Sequence, residues 1–222
     1  MVAARIERFA VAPATANDPR HFDLCLHVGD MIGLARCPSR GGYTDLELPR
    51  FAPHFHDLWT YRGEWENGGH AQYWGNVPNS FAWECAADLL GKMGLTEYRR
   101  LLEDFIALAA REGERLADLY ADDRGAEADA LFRPLDERYA DIERRCGALK
   151  DHLHRWLLAQ PWVVIDPALS ANDEIAEAKV PPHPQRDARK IALFRERHAE
   201  TGGEMRSFLA RLRDRLAGGG PA

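Results

Sequence analysis

The chain has 222 residues, enough for one sizeable core or a domain with an appendage. Its hydrophobic fraction of 45% and charged fraction of 29% exclude a disordered chain, and no run approaches the ~20 apolar residues of a membrane span. The net charge of −6 is unevenly spread: residues 101–147 carry −6 alone, whereas 186–222 carry +4.

The N-terminus, MVAARIERFAVAPATAND, has a short apolar part interrupted by Pro13 and preceded by Glu7 and Arg8. That is too weak for a removable signal, and a frayed cytoplasmic N-terminus is the expectation. Asn17-Asp18-Pro19 predicts an N-cap followed by proline in the first turn, leading into an apolar stripe of Phe22, Leu24, Cys25, Val28 and Ile32. After the loop SRGGYTD, Pro49 opens a helix with Phe51, Phe55, Leu58 and Trp59 inward. Asn79-Ser80 caps the next helix, Gly94 stops it, and Thr96 caps a longer one carrying Leu101, Leu102 and Phe105.

Residues 138–160 show the cleanest periodicity, with Tyr139, Ile142, Cys146, Leu149, Leu153 and Trp156 recurring every three or four positions. Pro161 ends this seam, and WVVID at 162–166 is strand-like but too short and solitary to found a sheet. Four prolines between 166 and 186 predict a linker. Beyond it, 187–217 reads as a basic amphipathic helical extension with Met205, Phe208, Leu209, Leu212 and Leu216 on one face. The expected architecture is an all-α multi-helix bundle over 17–165 with this helical extension at its C-terminus.

The four cysteines, Cys25, Cys37, Cys85 and Cys146, form no C-x-x-C pair, so reduced, buried and inert thiols are expected. His54/His56 and His152/His154 are spaced i, i+2. On a helix that spacing turns two imidazoles about 200° apart, so no metal site is expected. Ser39, Ser80, Ser170 and Ser207 lack a nearby base, and the glycines match no phosphate-cradling motif. An enzyme or small-molecule binder would have to use a pocket around Glu64, Glu66, His70 and Tyr73, with the two glutamates as paired acid and base.

Two features stand out. The stretch EWENGGHAQYWGN, residues 64–76, combines a glycine pair with carboxamides and aromatic rings. Its glycines permit close helix approach or a left-handed turn, and its amides suit a role tying unpartnered loop backbone groups. The second is a carboxylate series: Glu112, Glu114, Asp118, Asp122, Asp123, Glu127, Asp129, Asp136, Glu137, Asp141 and Glu143. It reads either as a solvated surface laced with pairs to neighbouring arginines or as an acidic face imitating DNA phosphates.

The stretch 66–76 resembles the signature E-x-x-N-G-G-F-x-Q-Y-F-x-N of the bacterial family named for DNA mimic protein nineteen, otherwise a domain of unknown function. The resemblance covers about 58–165; Asn67, Gly68, Gly69, Gln72, Tyr73 and Asn76 match, whereas His70 replaces a phenylalanine and Trp74 the second aromatic. It implies an all-helical fold. For the founding member it implies a dimer that occupies the DNA-binding surface of a helix-turn-helix-type repressor. The expectation for this chain is therefore a non-enzymatic, cytoplasmic protein-interaction module without cofactor. Its partner would be a protein such as a DNA-binding regulator, with no direct nucleic-acid or membrane contact, and a homodimer remains open. An immunity-type protein neutralising a toxin is a further alternative. The basic tail departs from simple mimicry.

Overall fold

The computed structural model describes residues 4–170 and 180–195. The fold is all-α. Strand β1 (Phe9–Val11) leads into a single-turn helix α1 (Pro13–Ala16) and then α2 (Asp23–Arg36). A 3-10 turn (Asp45–Glu47) precedes α3 (Ala52–Asn76), α4 (Ser80–Lys92), α5 (Thr96–Ala121), α6 (Gly125–Cys146) and α7 (Leu149–Leu158). Strand β2 (Val163–Ile165) follows, and residues 186–195 form a further helix, α8.

The fraying expected of the N-terminal segment does not extend to residues 9–12, and the 162–166 run is not solitary. β1 and β2 pair in parallel, Phe9 opposite Val163 and Val11 opposite Ile165. Phe9 N–H donates to Trp162 O at 2.7 Å, and Asp166 N–H to Val11 O at 2.9 Å. Phe9, Val11 and Ala12 are buried. Two three-residue segments 154 positions apart each supply the partner the other lacks, a pairing no local pattern reveals.

α2 begins later than the sequence indicates, at Asp23 rather than after Asn17. The cap is supplied at a distance by buried Asp18, whose carboxylate accepts N–H groups from Arg20, Phe22 and Asp23 at 3.0–3.1 Å. Those bonds, opposed by desolvation, hold its carboxyl well below the usual carboxylate range. Further along, Asn79 caps α4 as expected by accepting from Phe81 N–H at 3.2 Å, and Gly94 ends the segment at φ 73°.

The core is shared by α2 to α7, with Leu24, Val28 and Ile32 of α2 and Leu149, Leu153 and Leu157 of α7 buried in the same cluster, and its aromatic part lies among α3, α5 and α6. Tyr61, Tyr73, Tyr98, Phe105, Phe132 and Tyr139 are all fully buried there. Each such phenylalanine contributes on the order of 1.5–3 kcal/mol by leaving water. The seam expected over 138–160 is two helices rather than one. Gly147, at φ 89°, separates α6 from α7, so Cys146 falls at an exposed helix end instead of in the core. Tyr98 O–H donates to the carbonyl of Gly147 at 2.8 Å and fixes the break. Cys25 and Cys85 are buried, and burial pushes their thiols up to about 12 and about 11; Cys37 is half-buried, and all four cysteines are free.

Residues 180–195 lie against the 40–47 loop. His183 is buried edge-on to Tyr43, and Arg189 makes two bonds of 2.7 Å to the Glu47 carboxylate and a third to the carbonyl of Gly42. The Arg189 guanidinium holds Glu47 at about 2. The stretch 171–179 and the remainder of the expected extension, 196–217, lie outside the described residues.

Candidate functional site

The signature stretch occupies the end of α3 and breaks it. Residues up to Asn67 follow a regular helix; Gly68 (φ −170°, ψ 23°) and Gly69 (φ 73°, ψ −167°) do not, and helix resumes at His70. Gly69 occupies a region of backbone space that is essentially glycine-only. A Cβ built there would also stand 2.8 Å from a carboxylate oxygen of Asp136. At Gly68 the backbone is simply extended, but a Cβ would lie 2.3 Å from Gln72 Oε1.

The kink aims three donors at one oxygen. His70 N–H (2.9 Å), His70 Nδ1 (2.6 Å) and Trp65 Nε1–H (3.2 Å) all meet Asp136 Oδ1, which reaches across from α6. A carboxylate only accepts, so Nδ1 of His70 carries a proton and Nε2 accepts from Tyr61 O–H at 3.0 Å. Burial raises the Tyr61 phenol well above its ordinary value, which keeps it a donor. His70 has no solvent exposure, and Trp65 stacks on Tyr139 with ring centres 3.6 Å apart. His70 thus does polar work where the family signature carries phenylalanine.

On the other side of the kink Glu64 gathers the carboxamides. Its Oε2 accepts Gln72 Nε2–H at 2.8 Å and Asn76 Nδ2–H at 2.7 Å. The amides therefore bind a side-chain carboxylate rather than the loop backbone groups expected for them. Glu66 pairs with Arg62, which is buried against the Trp59 and Phe22 rings. Tyr73 is fully buried. The expected pocket around Glu64, Glu66, His70 and Tyr73 is consequently not formed: two of its members are core, and Glu66 is tied down by its own helix. Asn67 alone in the signature has an exposed side chain with no hydrogen bond among the described residues.

The histidine pairs diverge as their helical spacing requires. His56 accepts from Arg36 while His54 approaches Asp88; His152 Nε2–H donates to Cys146 O while His154 stacks on His21. Among the described residues no group of three His, Cys, Asp or Glu side chains is placed to hold a metal ion, and no helix is long and apolar enough to cross a membrane.

The structure divides the eleven carboxylates of the second feature. Glu112 sits between Arg111 and Arg115, Glu127 bonds Arg124, and Asp141 bonds Arg144 and Arg145. Asp129 accepts from Tyr120 O–H at 3.1 Å, and Glu143 accepts Leu149 N–H at the start of α7. Asp136 belongs to the kink, a role that nothing within its own segment signals. The remaining five, Glu114, Asp118, Asp122, Asp123 and Glu137, are exposed and make no ion pair among the described residues. Glu114, Asp118 and Asp122 recur every fourth residue, so they form one stripe along the solvent face of the α5 C-terminal half and its cap. Toward the N-terminal end of α5 the acids are spent: Glu97 on Arg145, Glu103 on Arg99 and Asp104 on Arg138.

No curated protein and no solved structure matches the chain. A family model, DMP19-like protein, matches residues 46–160, just over half the chain. The match runs from the 3-10 turn through α7 and contains both the glycine kink and the acidic hairpin of α5 and α6. The chain belongs to the DMP19-like protein family.

Proposed function

We propose that this protein is a non-enzymatic interaction module that offers the free carboxylates of α5 to a basic surface of a protein partner, in the manner of a DNA mimic engaging a DNA-binding regulator. The observation that carries this reading is the unpaired stripe of Glu114, Asp118 and Asp122. Like charges four residues apart on one helix face destabilise it by a few tenths of a kcal/mol per pair. The fold leaves that repulsion uncompensated here while pairing most other acids on the same two helices. Successive stripe carboxylates are about 6 Å apart along the axis, a ladder of negative charge suited to lysines and arginines that otherwise contact a phosphate backbone. Membership of a family whose name refers to DNA mimicry is in keeping with it.

Affinity capture from the native cell at low and at high salt, with wild-type chain and with the Glu114→Lys/Asp118→Lys/Asp122→Lys variant, tests the proposal. A partner released by salt and lost on charge reversal is expected. A partner retained by the reversed variant would remove the acidic stripe from the account.

A further inference from the structure

A large concavity among the described residues lies elsewhere. It is an open groove of about 810 Å3 between α2 and α3, and the acidic stripe of α5 contributes nothing to it. Its walls are two helical stripes: Leu26, Asp30 and Leu34 on α2, and His56, Thr60, Gly63 and Asn67 on α3. At a rise of 1.5 Å per residue it runs about 12 Å along α2 and about 16 Å along α3, the length of a short extended peptide.

Three properties of the groove point to a ligand. Gly63 sits inside α3, has helical backbone, and has nothing within 4 Å of where a Cβ would be. A glycine inside a helix costs stability relative to alanine, and no turn or close contact requires this one. Its missing side chain leaves the groove open at this point, since Gly63 lines it. Gly29 and Gly33 differ, since a Cβ on either would collide with Trp59 or His56 at 2.7–2.8 Å; these two let the walls meet at the floor. Secondly, Asp30 and Glu64 face the groove from opposite helices, and the Asp30 carboxylate has no hydrogen bond or ion pair among the described residues. Desolvation beside the groove walls raises its carboxyl above the ordinary value, opposed by the neighbouring imidazoles of His27 and His56. Thirdly, the Asn67 carboxamide, the one signature amide not engaged at the kink, lies at the same rim.

We infer that the α2–α3 groove binds an extended cationic segment of a partner protein, with an arginine or lysine stem lying over Gly63 between Leu26 and Leu34. The charged head sits between Asp30 and Glu64, and Asn67 hydrogen-bonds the segment. Apolar walls below and carboxylates above match a side chain with an aliphatic stem and a cationic head. This inference is independent of the acidic stripe on α5.

The test uses the full chain, isotopically labelled, with the peptide acetyl-Gly-Arg-Gly-Arg-Gly-amide and its citrulline counterpart, followed by NMR. Saturable shifts of the Asn67 carboxamide, the Trp59 indole N–H and the Asp30 and Gly63 amides are expected with the arginine peptide and not with citrulline. Gly63→Leu, which fills the groove, is expected to weaken binding at least about tenfold, and Asp30→Asn about threefold. Gly63→Ala is expected to raise the melting temperature by about 2 °C, because the fold does not need the glycine. Should Gly63→Leu fail to fold, Asp30→Asn and the citrulline control still decide. Equal binding of citrulline, equal binding by both binding variants, shifts confined to the α5 stripe, or a lowered melting temperature in Gly63→Ala would each overturn the inference.

Discussion

Two sets of carboxylates in this molecule have opposite fates. At the α3 kink, Glu64 and Asp136 each have one oxygen crowded by donors, three N–H contacts on Asp136 and two amides on Glu64. At the far end of α5, Glu114, Asp118 and Asp122 have no partner among the described residues. The first set stabilises a backbone conformation that only glycine adopts readily; the second makes no ion pair among the described residues, and like charges at that spacing repel. A carboxylate's meaning therefore depends on what its oxygens already hold. By that criterion the kink itself is held internally, whereas Asn67 at its rim and the less distinctive acids of α5 keep polar groups free among the described residues.

If the kink is scaffold, breaking it must cost stability. Gly69→Ala forces a Cβ into a glycine-only conformation and against Asp136, and a loss of about 3 kcal/mol is expected in denaturant melts. Asp136→Ala strands the donors of Trp65 and His70 and is expected to cost about 2–3 kcal/mol. His70→Phe restores the ring of the family signature but leaves Tyr61 O–H and Asp136 short of a partner. A cost of about 1–2 kcal/mol is expected, and it should be strongly non-additive with Asp136→Ala in a double-mutant cycle. Neutralising the stripe, Glu114→Gln/Asp118→Asn/Asp122→Asn, sharpens the contrast from the other side. Stability should change by no more than about 0.5 kcal/mol, with a slight gain expected from relieved repulsion.

The smallest effect concerns the clasp between Glu47 and Arg189, where a third carboxylate is held by the chain's own cation. Its folded value, about 2, lies below the unfolded 4.5, so its contribution is fully present above about pH 4.5. It is lost as the pH falls through about 2. Hydrogen exchange at His183, Arg186 and Arg189 amides should accelerate over that window in wild type, and at neutral pH in Glu47→Gln.

Much of the helical framework was legible in the sequence because it rests on local signals. Asn79 announced α4 and Gly94 ended it, while apolar spacing marked α5 with its buried Leu101, Leu102 and Phe105. What escaped was everything set by distant partners. Phe9–Val11 is a strand only because Val163–Ile165 lies beside it. Asp136 looked like one more surface acid because its donors, Trp65 and His70, are more than sixty residues away in the chain. The glycine pair was readable as a junction, but not the carboxylates that lock it. A hint existed in His70: a polar ring where the signature has phenylalanine needs a buried acceptor somewhere.

If the α5 stripe meets a protein partner, reversing its charge must abolish capture without unfolding the chain. The most direct test is low-salt capture yield of the native partner by the Glu114→Lys/Asp118→Lys/Asp122→Lys chain, relative to wild type, at matched folded fraction. Loss of at least about tenfold is expected, since three reversed charges turn attraction into repulsion. Undiminished capture by a folded charge-reversed chain would contradict it.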